Sequence, residues 1–294
     1  MARLSIRHET LYTYERPVRF AAHRLLVRPR DSHATRVVDA HLTLSPPGET
    51  HWLYDAMANS VCIFEPNGES RSLSIVSDLT IERFPAPLLR RSIADPQTVT
   101  PIVYAPADRA VLAPFIDPVS EDADGHLLTW LRGQVGSTRE PALDFLLRLN
   151  RTIRGSFEYV ARDHGAAQEP SHTVSVESGT CRDFAWLMVE ALRRLGYAAR
   201  FVTGYLYSPA TQTGAVRGAG ATHAWCEVFL PELGWTEFDP TNALAESADL
   251  IPVAVTRTPA EAAPVSGAIY GDGGQSDMRV HVDVRPAESL PAAA

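Results

Sequence analysis

The chain of 294 residues is poor in cysteine and has no long apolar run and no cluster of basic residues. Each shortage excludes something. Three cysteines, Cys62, Cys181 and Cys226, form a sparse and odd set. A disulfide framework is therefore not expected, and a reducing compartment is. No run approaches the roughly 18 apolar residues that a membrane-spanning helix needs. The opening MARLSIRHETLYTYE carries no apolar signal-peptide core, so the expected location is the cytoplasm. The formal charge is -8 and the basic residues are scattered, so neither nucleic acid nor membrane is expected as a partner. There is no C-x-x-C and no H-E-x-x-H, which leaves a zinc site without support. Phosphate-binding, dinucleotide and G-x-S-x-G motifs are also missing. No cofactor and no metal is expected, and no internal repeat is visible.

What is present is a chain with 45% hydrophobic residues, long enough for two domains. From Leu4 to about Phe84 apolar residues alternate with polar ones. One face carries Leu4, Ile6, Tyr12 and Tyr14; others carry Val38, Ala40, Leu42 and Leu44, and Leu73, Ile75, Leu79 and Ile81. These are half-buried antiparallel strands, and Asn67-Gly68 between two such runs is a hairpin signal. Residues 1–95 are thus expected to form a β-sandwich-like domain. Residues 96–120 lose periodicity and are punctuated by Pro96, Pro101, Pro106, Pro114 and Pro118, as in a linker crossing the surface. A second domain is expected over 121–286. It begins with two helical patterns, HLLTWLRGQV and PALDFLLRLNRTIRGSF, and ends with the strand pattern MRVHVDVRP. Residues 287–294 should fray. The class is α+β, with a cysteine-bearing helix packed on an antiparallel sheet.

That helix lies in GTCRDFAWLMVEALRRLGYAARFVTGY. Phe184, Leu187, Met188, Ala191, Leu192 and Leu195 recur at three- and four-residue steps, the stripe of a helix facing a core. Thr180 and Asp183 form a capping pattern at its start, and Gly196 suits its end. The helix is expected from Cys181 to Leu195. Cys181 therefore stands beside unpaired amides at the positive end of the helix dipole, a place that favours a thiolate.

A nucleophile needs a base, and the base needs a group to orient it. Both are available in the hairpin THAWCEVFLPELGWTEFDPT. Alternation puts His223, Trp225, Glu227 and Phe229 on one face and Ala224, Cys226, Val228 and Leu230 on the other. A register centred on residue 231 sets His223 opposite Asp239; one centred on 232 makes them diagonal neighbours. Cys181 is then the nucleophile, His223 the base, and Asp239 the carboxylate that fixes the imidazole. The Cys181 N–H is a candidate oxyanion donor.

Taken singly, each residue has a plainer role: a structural cysteine, a satisfied strand histidine, and an aspartate starting a turn before Pro240. Their conjunction on compatible faces is what points to chemistry. Cys62 and Cys226 fall on core faces and are expected as small buried hydrophobes. His126, His164 and His172 are expected at the surface. The small-residue stretch Pro209–Ala221 is expected to border the cleft and to move.

The segments G-T-C-R-D-F-A and H-A-W-C-E-V-F-L-P-E-L-G-W-T-E-F-D-P-T-N resemble the transglutaminase-like superfamily, of papain-type fold. More narrowly, the chain is similar to bacterial transglutaminase-like proteins described as candidate cysteine proteases, which carry a β-rich N-terminal region. Y-T-Y-E-R-P-V followed by H-R-L-L-V-R-P-R-D is similar to the start of that region. The resemblance spans roughly residues 4–285. It implies Cys181, His223 and Asp239 as a triad, and acyl transfer on peptide or protein amides through a thioester without a cofactor. Peptidase or amidase action is the first expectation. Transfer to an amine, or a catalytically idle scaffold, are the alternatives. The family's H-I-x-V-A-x-G-R-D-Y segment is replaced here by D-L-I-P-V-A-V-T-R-T-P-A-E.

Overall fold

The computed structural model describes residues 2–84, 98–136, 139–162, 165–207 and 220–287. The alternating runs of the N-terminal third form six strands: β1 (Ala2–Phe20), β2 (His23–Leu25), β3 (Thr35–Ser45), β4 (Gly48–Tyr54), β5 (Ser60–Pro66) and β6 (Glu69–Arg83). In β6 every second residue from Leu73 to Arg83 is buried, as a one-sided apolar pattern requires. Val18, Phe20, Leu25, Val27, Cys62, Phe64, Leu73 and Ile75 fill the space between two sheets, which makes the unit a sandwich.

Asn67-Gly68 turns the chain, with Gly68 at φ 73°, but the flanking strands do not pair with each other. β5 pairs with β2 and β4, whereas β6 pairs with β1 and β3. The hairpin expectation is therefore corrected: the turn passes the chain from one sheet to the other. Turn chemistry sets the reversal locally, while pairing follows from which edge the next apolar face can cover.

The segment 96–120 is more than a connector. It holds β7 (Val99–Thr100) and a helix, α1 (Pro106–Ile116), with Leu112, Phe115 and Ile116 buried in the main core. Pro106 sits in the first turn, where its missing N–H costs nothing. The helices α2 (His126–Gln134), α3 (Ala142–Ser156), α4 (Pro170–Val176) and α5 (Cys181–Arg194) follow, with the short strands β8 (Glu140–Pro141), β9 (Glu158–Tyr159) and β10 (Ser178–Gly179) between them. The next strands are β11 (Ala199–Leu206), β12 (His223–Leu230), β13 (Gly234–Asp239), β14 (Leu244–Ala245) and β15 (Leu250–Thr256), forming one antiparallel sheet in the order β14-β13-β12-β11-β15. The segment that departs from the family pattern thus supplies β15, an edge strand on β11.

The last strands, β16 (Val265–Ser266), β17 (Ile269–Tyr270) and β18 (Ser276–Pro286), return to the N-terminal sandwich. β18 runs along β1 from Tyr14 to Leu4, and β16 pairs with β2. Alternation identified the closing strand but not its partner, because period two says which side faces a core and not whose core it is.

The α5 helix departs from a one-sided stripe. Only Arg182 and Arg194 keep intermediate exposure, and all the other residues of the helix are buried. Its apolar face meets Ala224, Cys226, Val228 and Phe238 of the sheet, while α1–α4 cover the rest. Two charged residues are consequently buried with it. Glu190 and Arg193 pair at 3.0 Å with no side-chain exposure. Glu190 also accepts bonds from Val119 N, Ser120 N and Ser120 Oγ, which tie the segment after α1 to the middle of α5.

Candidate active site

Cys181 is the first residue of α5, and the local sequence holds it there. Asp183 Oδ2 accepts from the backbone N–H of Thr180 at 2.7 Å and from its hydroxyl at 3.0 Å. Asp183 Oδ1 takes the N–H of Gln168 and an ion pair from Arg162 at 2.9 Å. Asp183 is thus both cap and ion-pair partner, and it is fully buried. Gly179 is required beside it: a Cβ there would lie 2.8 Å from the Cβ of Asp183. The cap fixes where the chain leaves β10 and so where the thiol begins.

His223 opens β12 and Asp239 closes β13. Cys226 pairs with Phe238 and Glu227 with Glu237, which is the register centred on 232, so His223 and Asp239 are diagonal neighbours. His223 Nε2 donates to Asp239 Oδ2 at 2.9 Å, with both side chains fully buried. Asp239 is held in turn by residues not singled out from the sequence. Thr241 N donates to its Oδ1 and Asn242 Nδ2 to its Oδ2, both at 2.9 Å. The signal for these bonds was present in D-P-T-N, since an aspartate that starts a turn takes N–H groups two and three residues on. The turn role and the histidine-orienting role are held by one carboxylate.

Nε2 being committed to Asp239, Nδ1 is the imidazole nitrogen left for the sulfur. It is buried and makes no hydrogen bond of ordinary geometry, but the Cys181 thiol is close enough to raise the ring's proton affinity. Burial alone would push the imidazole down. The Asp239 charge and hydrogen bond outweigh burial and, with Cys181, push it up to about 10. Asp239 itself is drawn down: burial would raise it, and the His223 charge together with bonds from Asn242 and Thr241 overcomes that. Trp225 stacks beside His223, with ring centroids 6.1 Å apart at 28°. Gly204 stands opposite His223 across β11, where a Cβ would meet Trp225 Cη2 at 2.8 Å and the Ile251 carbonyl oxygen at 2.1 Å.

The three cysteines separate by environment. Cys181 keeps 7% exposure, while Cys62 and Cys226 have none. Burial pushes the Cys62 thiol up to about 11 and that of Cys226 higher still, so both behave as small hydrophobes. All three are free thiols. His126 and His172 are exposed, and His164 lies outside the described residues. So does most of Pro209–Ala221. Among the described residues no group of three or more His, Cys, Asp or Glu is placed to hold a metal ion, and no helix is long and apolar enough to cross a membrane.

Comparison with known proteins places this arrangement. Residues 129–240 match the transglutaminase-like superfamily core, and residues 4–82 match the bacterial transglutaminase-like N-terminal region. The chain belongs to the transglutaminase-like superfamily. The family match supports a cysteine-type enzyme at the level of that family. A crystal structure of a candidate cysteine protease from Cytophaga hutchinsonii superposes with a TM-score of 0.74 at 20% identity, covering 99% of this chain and 92% of that one. The likeness shows a shared fold, sandwich and papain-type core together. A Mycobacterium tuberculosis protein is 28% identical over 302 residues, covering 97% of this chain and 93% of its own length. A protein-glutamine gamma-glutamyltransferase of Pseudomonas aeruginosa is 38% identical over 76 residues, which are 23% of this chain and 10% of that protein.

Proposed function

We propose that this transglutaminase-like protein carries out cysteine-dependent acyl transfer on peptide or protein amides, with Cys181 as nucleophile, His223 as acid and base, and Asp239 as the orienting carboxylate. The observation that carries the reading is one fully buried imidazole. Asp239 holds one of its nitrogens, and the other is free for a thiol at a helix start. In the first half-reaction the sulfur of Cys181 attacks the amide carbon, and the carbonyl oxygen takes the negative charge. The Cys181 N–H, unpaired at the start of α5, donates to that oxygen. As the C–N bond breaks, the leaving nitrogen takes the proton of the His223 imidazolium, and a thioester remains. In the second half-reaction water attacks the thioester, His223 takes its proton, and the C–S bond breaks to release the acid and the thiolate.

Hydrolysis is the primary reading because water is always present. Transfer to an amine is the second, favoured by the likeness to the Pseudomonas aeruginosa gamma-glutamyltransferase in this region. Glutamine-containing peptides incubated with a labelled primary amine separate the two. Released ammonia or cleaved peptide without label is the expected result, and incorporation alone would overturn hydrolysis. All 27 basic residues of the chain are arginine, so no lysine of the enzyme competes as acceptor. Mild iodoacetamide tests the idle-scaffold alternative: Cys181 should be alkylated selectively, and equal slow reaction of all three thiols would favour a scaffold.

The pH profile follows from the imidazole. With its folded value near 10, the imidazolium that protonates the leaving group is present at neutral pH and is lost as pH rises through that value. The alkaline limb of kcat/KM should therefore stand near pH 10 and move to lower pH in Asp239→Asn, which removes the charge that raises it. An unmoved limb would show that another group controls it.

A further inference from the structure

The helix α3 carries an amide where its apolar stripe calls for a hydrocarbon. Leu143, Leu146, Leu149 and Ile153 face the core and are buried. Asn150 stands among them at 1% exposure. Asparagine is a poor helix former, and burying its amide costs free energy unless both ends find partners. One end does not: Oδ1 makes no hydrogen bond among the described residues. A leucine at this position would suit both the helix and the core. A buried polar group kept at such a cost is found where its remaining bond matters.

That bond reaches out of the helix. Nδ2 of Asn150 donates to the Leu244 carbonyl at 2.9 Å. Leu244 stands directly opposite Asp239 across β13 and β14, and α3 packs on β13. The bond therefore lands on the return limb of the turn that begins with Asp239.

The turn needs holding. Ala243, next to Leu244, has φ 56°, and Glu246 has φ 48°. Residues with a Cβ rarely adopt this left-handed backbone, and they persist in it where the surroundings over-determine them. Four non-glycine residues among the described ones have it, and two of the four lie here. Bonds inside the turn run to Asp239: Thr241 N donates to Oδ1 and Asn242 Nδ2 to Oδ2. They set the carboxylate within the turn but do not tie the turn to the helical layer. The Asn150 bond does. The Leu244 side chain adds a second hold, packing on the cluster that contains Trp225. Asp239 Oδ2 in turn accepts from His223 Nε2 at 2.9 Å, with neither side chain exposed. A displaced turn would carry the carboxylate off the imidazole.

We propose that Asn150 is a positioning residue: by holding the Leu244 carbonyl it places Asp239, and through Asp239 the His223 ring. The role rests on the acyl-transfer reading, but its physical effect is measurable without a substrate. The test follows the His223 ring by NMR in the full chain as pH is raised. Asn150→Leu removes the donor and the unpaired oxygen together and keeps the volume. His223 should lose its proton at lower pH in this variant, with proton affinity down about threefold or more. Asp239→Asn should lower it further. Adding Asn150→Leu to Asp239→Asn should then change nothing, because the two act in series. An asparagine that only fills the core would lower Tm and leave the His223 midpoint in place. Asn150→Ser, smaller and too short to reach Leu244, gives the same comparison should Asn150→Leu not fold. The proposal is overturned by an unmoved midpoint in whichever variant folds, or by an equal shift with Asp239 already replaced. Selective alkylation of Cys181 in the wild type tests the acyl-transfer reading separately. Its absence would overturn that reading, and the His223 midpoint would still decide on Asn150.

Discussion

His223→Ala is expected to lower kcat/KM for an amide substrate by about 10⁴-fold or more, the scale on which triad members fail when removed singly. Two functions leave with the ring: the proton the leaving nitrogen needs and the base that activates water. The loss is expected in kcat, because His223 acts on the leaving nitrogen and the attacking water in the chemical steps and not on substrate binding. Selective alkylation of Cys181 should slow in the same variant, since the imidazolium that stabilises the sulfur anion is gone. Packing provides the control. The ring stacks on Trp225, so a general loss of structure would appear as a fall in Tm. A His223→Ala protein that keeps its Tm and more than about a tenth of its activity would remove His223 from the mechanism.

Glu190→Ala should cost about 3–5 kcal/mol of stability, the range found when one partner of a buried ion pair is deleted. The side chain accepts from Arg193, Arg194, Val119 N, Ser120 N and Ser120 Oγ. Its loss leaves Arg193 with no carboxylate and frees the segment that follows α1. Chemical denaturation should show a lower midpoint, and Tm should fall by about 10 °C. Glu190→Gln keeps the shape and part of the bonding, and should cost less. Burial would raise the Glu190 carboxyl, but Ser120, Arg194 and Arg193 hold it below 4.5. Its contribution is therefore full above the unfolded value and is lost as pH falls through the lower folded one. The glutamine variant should lose less stability than the wild type between neutral pH and that point. Equal denaturation midpoints for the wild type and Glu190→Ala would show that the network is dispensable.

Much of this site was legible in the order of residues. A capped helix start, an apolar stripe and an alternating hairpin are local patterns, and each is set by repeats of 3.6 or 2 residues. They located α5, β12 and β13, and reduced the hairpin to two registers. Less local features were not legible. The α1 helix hides in a proline-punctuated stretch: Pro106 stands in the first turn, where it is harmless, but Pro114 lies inside the helix and reads as a breaker. The partners of β18 and of the Asn67-Gly68 turn depend on sheet edges distant in sequence.

The sequence alone pointed to three side chains, since a cap, a face and a turn motif are each written within a few neighbouring residues. Their meeting was decided in three dimensions. Alternation put His223 on the face of the sheet opposite the residues that pack on α5, yet the thiol and the imidazole interact. They do so because His223 is the first residue of β12, and a helix terminus arriving at the end of a sheet can reach a side chain that the body of the sheet would screen. Packing of α5 between the core sheet and the segment around the end of α1 buried Glu190 and Arg193 together. Solvent exclusion depends on what lies across a gap, and no local period encodes that.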